Sequence, residues 1–165
     1  MKPALLVVDI QNVWLDDNQE LRKSVEKRIN VINEAIHWFR KRAHPIVVVY
    51  HEDKEMGSLP GTKPFAAPET VRINDNDIRV TKRYPNSFGK TELEAVLRKE
   101  GCDTVVIVGL SASGCALATY FGAMDCDFRP YLVRNGVASH SEEHVRFAED
   151  ICETLNVQDL DKVLS

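Results

Sequence analysis

Apolar residues in this chain follow two spacings that alternate from end to end. Short β-branched runs at residues 4–8, 45–50, 78–81, 104–108 and 129–133 predict five strands. The first, second and fourth are almost wholly apolar, the pattern of strands covered on both faces. Between them, Leu21, Val25, Ile29, Ile32, Ile36 and Phe39 recur at steps of three and four and mark a long amphipathic helix. Leu93, Val96 and Leu97 mark a second helix, with Thr91 as its expected N-cap. A third is expected over 114–124 and a fourth over 141–155, where Val145, Ala148, Ile151 and Leu155 share a face.

Strand–helix alternation of this kind calls for right-handed crossovers and a mostly parallel sheet with helices on both faces. The expected fold class is α/β, a three-layer αβα sandwich of Rossmann-like type. At 165 residues the chain is one domain, 1–165, and is long enough to bury a core without disulfides or metal. The stretch 52–76 holds Gly57, Pro60, Gly61, Pro64 and Pro68 with little periodicity and reads as a long functional loop.

Charge removes several classes of function. Twenty-one Lys and Arg against 25 Asp and Glu give a net charge of −4 with no basic block, so nucleic acid is not an expected partner. No apolar run approaches the ~20 residues of a membrane span. The apolar start leads straight to Asp9 and reads as a first strand, so a cytoplasmic location is expected. Cys102, Cys115, Cys126 and Cys152 include no C-x-x-C pair and are expected to be free thiols.

Ligands of open α/β sheets bind beyond the carboxyl ends of the strands, where strand order reverses. Three such ends carry reactive side chains: Asp9, Lys82 and Cys115. Cys115 follows Gly109-Leu110-Ser111-Ala112-Ser113-Gly114 and opens a helix, whose N-terminal dipole favours a thiolate. A carboxylate beside a cation and a thiol can serve as base and then acid. By spacing alone, a core cysteine, a structural strand-end aspartate and a solvated lysine remain open alternatives. Rival motifs fail: Cys115-Ala116 replaces the Lys and Ser or Thr of a P-loop, and Gly109-Leu110-Ser111-Ala112-Ser113 lacks the closing glycine of a nucleophile elbow. Of the five histidines only His140 and His144 show an H-x-x-x-H spacing, at a charged helix start that reads as solvated surface.

The motifs Leu6-Val7-Val8-Asp9-Ile10-Gln11, Lys82-Arg83-Tyr84-Pro85-Asn86-Ser87-Phe88 and Val106-Ile107-Val108-Gly109-Leu110, followed by Cys115, resemble the isochorismatase-like cysteine hydrolases, which include nicotinamidases and N-carbamoylsarcosine amidohydrolases. The resemblance implies an Asp9, Lys82, Cys115 triad and a cis peptide between Leu110 and Ser111. It further implies an oxyanion hole from the Ser111 and Cys115 N–H groups. Gln11, Trp14, Tyr84 and Phe88 are the expected substrate-binding residues, with the 52–76 loop as a further wall. The metal-binding relatives carry an Asp and histidines after the second strand, whereas here Tyr50-His51-Glu52-Asp53-Lys54 leads into a loop without another histidine. No metal and no cofactor are therefore expected. The implied partners are a small amide or related C–N substrate and further copies of the chain in a homo-oligomer, a dimer or tetramer. Vinyl-ether hydrolysis belongs to relatives without the cysteine. Ala112, Ser113 and Gly114 depart from the usual residues of the turn, so a non-catalytic binding subunit or thiol sensor stands as the alternative.

Overall fold

A computed structural model describes every residue from Met1 to Ser165. Six strands, β1 (Pro3–Val8), β2 (Ile46–His51), β3 (Ile78–Lys82), β4 (Thr104–Leu110), β5 (Arg129–Ala138) and β6 (Thr154–Leu155), form one sheet in the order β3-β2-β1-β4-β5-β6. Every pairing is parallel. The helices are α1 (Asn12–Asp16), α2 (Gln19–Lys41), α3 (Leu93–Lys99), α4 (Cys115–Asp125), α5 (Glu142–Ile151) and α6 (Leu160–Leu164).

The two-residue period of the strands sorts the core into two layers. Leu5, Val7, Val48, Val106 and Val108 face α2 and the C-terminal helix, while Leu6, Val8, Val47, Val49 and Ile107 face the side built from α3, α4 and α5. This is the three-layer sandwich the pattern called for. No helix is long and apolar enough to cross a membrane.

Four local features differ from the periodicity. The last long helix stops at Ile151, because Cys152 is extended (φ −107°, ψ 153°) and Thr154-Leu155 pair with Leu132-Val133 as a sixth strand. Leu155 is buried in either arrangement, so its spacing could not distinguish them. Strand β5 continues to Ala138 past a bulge: Ile107 pairs with Leu132 but Gly109 with Val137, with Asn135 at φ 58° inside the bulge. Thr91 does not occupy the N-cap, which is Glu92, yet its Oγ1 still accepts from Leu93 N at 3.2 Å. The helices α1 and α6, five residues each, are too short to show a period.

The 52–76 loop is irregular but pinned to the start of the chain. Asn12 N donates to Ala66 O and Val13 N to Pro64 O, each at 2.9 Å. Phe65 stacks on Tyr50 at 4.9 Å.

Candidate active site

Strand order reverses between β1 and β4, and the candidate residues stand at that switch point. Asp9 follows β1, bonded through its N–H to Val49 O at 3.0 Å and held at φ 54°, a left-handed conformation that aspartate tolerates better than most residues. Lys82 ends β3, two strands away. With neighbouring strands about 4.8 Å apart, only a long side chain laid across the end of β2 can reach Asp9. Cys115 begins α4 after a turn in which Gly114 N and Ala116 N both donate to Ser111 O and Ala112 N donates to Ala138 O. Gly109 allows the approach: its φ is +121°, and a Cβ there would lie 2.2 Å from Val8 O.

The three side chains meet. Lys82 Nζ, with no exposed side-chain surface, donates to Asp9 Oδ2 at 2.9 Å and to Cys115 Sγ at 3.2 Å. Asp9 Oδ1 is buried with no partner in the chain. The Leu110–Ser111 peptide bond is cis, as the resemblance implied. The Ser111 and Cys115 N–H groups take no acceptor among the turn and cap hydrogen bonds.

One expectation about the thiol fails. Burial, and after it the Asp9 carboxylate, pushes Cys115 up to about 12, against a weaker opposing pull from the Lys82 ammonium. Desolvation and a neighbouring negative charge both favour the protonated form. Both influences favour a thiol over the anticipated thiolate.

The structure also redistributes the expected substrate contacts. Gln11 is wholly buried, and its amide is spent internally: Nε2 donates to His51 O and Phe65 O at 3.1 and 3.0 Å, while Oε1 accepts from His51 N at 2.8 Å. It braces the loop. Phe88 packs on Phe128 at 5.7 Å and is partly buried against the core. Tyr84 is half-exposed and lines a cleft of about 340 Å³ with Glu52, Thr81, Lys82, Arg83 and Lys90. Trp14 sets its ring edge-on to His51 at 5.8 Å. A groove of about 670 Å³ between α2 and the C-terminal segment lies away from the thiol.

His51 is the site residue that sequence reasoning passed over. Its Nδ1 lies 2.8 Å from Lys82 Nζ, 3.7 Å from Asp9 Oδ2 and 3.9 Å from Cys115 Sγ. The available signal was its place at the end of β2, between two other strand-end candidates.

Asp9, His51 and Cys115 have ligand atoms within 4.8 Å of one another, a spacing that would suit a metal. The donor set nevertheless does not fit one, because the Lys82 ammonium is within 3.2 Å of all three and occupies the position an ion would take. Two cations there would repel at close range.

Comparison with known proteins identifies the family. The family model of the isochorismatase domain matches residues 3–157. A curated relative, the uncharacterised isochorismatase family protein YrdC of Bacillus subtilis, is 29% identical over 140 residues, 84% of this chain and 74% of that protein. Among solved structures, an isochorismatase-like hydrolase from Alkaliphilus metalliredigens superposes with TM-score 0.89 at 23% identity over 100% of both chains. N-carbamoylsarcosine amidase from Thermoplasma acidophilum does so with TM-score 0.81 at 25% identity, over 95% of this chain and 97% of that one. The chain belongs to the isochorismatase family.

Proposed function

We propose that this member of the isochorismatase family hydrolyses the C–N bond of a small amide or related carbonyl substrate through a thioester on Cys115. One observation carries the reading: a single buried ammonium, on Lys82, bridges a carboxylate and a thiol at 2.9 and 3.2 Å. In the first step Asp9 takes the thiol proton as Sγ forms a bond to the carbonyl carbon. The unpartnered Oδ1 leaves the carboxylate free to accept it. The Ser111 and Cys115 N–H groups receive the oxyanion, a contribution of about 3 kcal/mol or more per donor in acyl-transfer enzymes.

As the tetrahedral adduct collapses, the C–N bond breaks and Asp9 returns the proton to the leaving nitrogen. Water, deprotonated by the same carboxylate, then attacks the thioester. The acid leaves and the thiol is restored. Lys82 stays charged throughout and stabilises the negative charge as it moves between Asp9 and Sγ. A thiol that is neutral at rest suits this cycle, since the nucleophile is made only when substrate is in place. The resemblance to a structure named as an N-carbamoylsarcosine amidase supports the C–N assignment.

Screening purified protein against amides, ureides and carbamoyl compounds, with ammonia release as the readout, tests the reading. Turnover that disappears in Cys115→Ala and Cys115→Ser is expected. No turnover on the panel, or turnover that survives Cys115→Ala, refutes it and favours a binding subunit.

A further inference from the structure

We propose that His51 is a positioning residue that orients the Lys82 ammonium, an assignment that rests on the hydrolytic reading above. An ammonium has three hydrogens, and the buried Lys82 Nζ has three acceptors: His51 Nδ1 at 2.8 Å, Asp9 Oδ2 at 2.9 Å and Cys115 Sγ at 3.2 Å. Because the ammonium can only donate, Nδ1 must accept. The ring is then neutral, with its proton on Nε2.

The ring is held in that pose from behind. His51 N donates to Gln11 Oε1 at 2.8 Å, and His51 O accepts from Gln11 Nε2 at 3.1 Å and from Ser58 Oγ at 3.0 Å. Gln11 and Ser58 are both fully buried, so the peptide of His51 is clamped on both its N–H and its C=O. Trp14 closes one side of the ring at an interplanar angle of 83°. This gives the buried Gln11 a purpose: it anchors the residue that anchors Lys82.

Lysine carries its charge on a flexible four-carbon stem. Two acceptors, both of which change charge during the cycle, leave its head free to swing. His51 supplies a third contact that stays neutral while the proton passes between Sγ and Asp9. Protonation of His51 removes the acceptor and sets a second cation against Lys82. The charged or titratable groups that face the ring are Asp9 from the end of β1, Lys82 from β3 and Cys115 from α4, while α1 presents the uncharged Trp14.

The tests are the imidazole ¹⁵N spectrum of the whole protein and kinetics of His51→Ala and His51→Asn, the latter placing an amide oxygen near the position of Nδ1. At neutral pH the spectrum should show Nδ1 unprotonated and Nε2 protonated. His51→Ala should lower kcat by about tenfold to a hundredfold with little change in KM, as expected when a buried charged donor loses an acceptor. His51→Asn should recover most of that loss. An Nδ1–H tautomer, parent kcat and pH profile in His51→Ala, or a folded His51→Asn no better than alanine, would each overturn the assignment. If the parent hydrolyses nothing on the panel, it is the hydrolytic reading that fails, and the tautomer still decides the role of His51.

Discussion

Replacing Asp9 with asparagine should push two properties of Cys115 in opposite directions: alkylation faster, turnover far slower. The Asp9 and Cys115 ligand atoms lie within 4.8 Å. At an effective dielectric near 20, a unit charge at that distance acts with about 3 kcal/mol, or roughly two pK units. The carboxylate is one of the groups that holds the thiol up near 12. Its removal should therefore raise the thiolate fraction at neutral pH about a hundredfold. A less basic thiolate is also a weaker nucleophile, with a Brønsted slope of about 0.5, so roughly a tenfold gain in alkylation should remain. Turnover should drop by about 10² to 10⁴, because asparagine can neither take the thiol proton nor return it to the leaving nitrogen. Iodoacetamide rates across pH, with mass mapping of Cys115 against Cys102, Cys126 and Cys152, supply the first readout, and ammonia release the second. Lys82→Ala is the control, and should slow alkylation by removing the charge that favours the thiolate. Slower alkylation in folded Asp9→Asn would show that the carboxylate does not hold the thiol up, and hydrolysis at the parent's rate and pH profile would show that Asp9 is not the base.

Three further outcomes follow from particular contacts. Chelators should leave activity unchanged, and elemental analysis should find no stoichiometric zinc, since the Lys82 ammonium stands among the donors an ion would need; a bound equivalent of metal would contradict that geometry. Gly109→Ala should cost more than about 4 kcal/mol or prevent folding, because its Cβ would meet the Val8 backbone at 2.2 Å in a left-handed conformation, as urea unfolding would reveal. Glu142→Ala strips the buried Arg28 of its two carboxylate contacts at 3.0 and 2.8 Å and should cost about 2 to 3 kcal/mol in urea at neutral pH. The Arg28 hydrogen bond holds the Glu142 carboxyl below the usual range, so that stability is present at neutral pH and lost as acid protonates the group, and the gap between variant and parent should close on acidification.

Much of the molecule is local in origin and hence visible along the chain. A strand between two helical layers needs continuous apolar residues, and a helix over a sheet needs a stripe at steps of three and four, so five strands and the longer helices stand out by composition alone. The strand ends are equally local, which is why Asp9, Lys82 and Cys115 could be singled out before their distances were known. The sixth strand escaped because Leu155 satisfies a helical face and a strand face alike. The inward turn of Gln11 escaped because chain position does not reveal whether a polar side chain turns outward or inward. His51 escaped because, taken alone, it has no partner at metal-ligand spacing.

The sequence by itself therefore determined the layers, the parallel sheet and the identity of three reactive groups, since each depends on neighbours a few residues away. Tertiary structure alone decided their chemistry. The upward push on the Cys115 thiol follows from how deeply it is buried and how near Asp9 comes to it, and electrostatic energy varies with separation and dielectric, neither of which is a property of any single segment. The contact of Lys82 with residues from β1, β2 and α4 likewise exists only once the strand order 3-2-1-4 is formed, when one long side chain can lie across the end of a neighbouring strand.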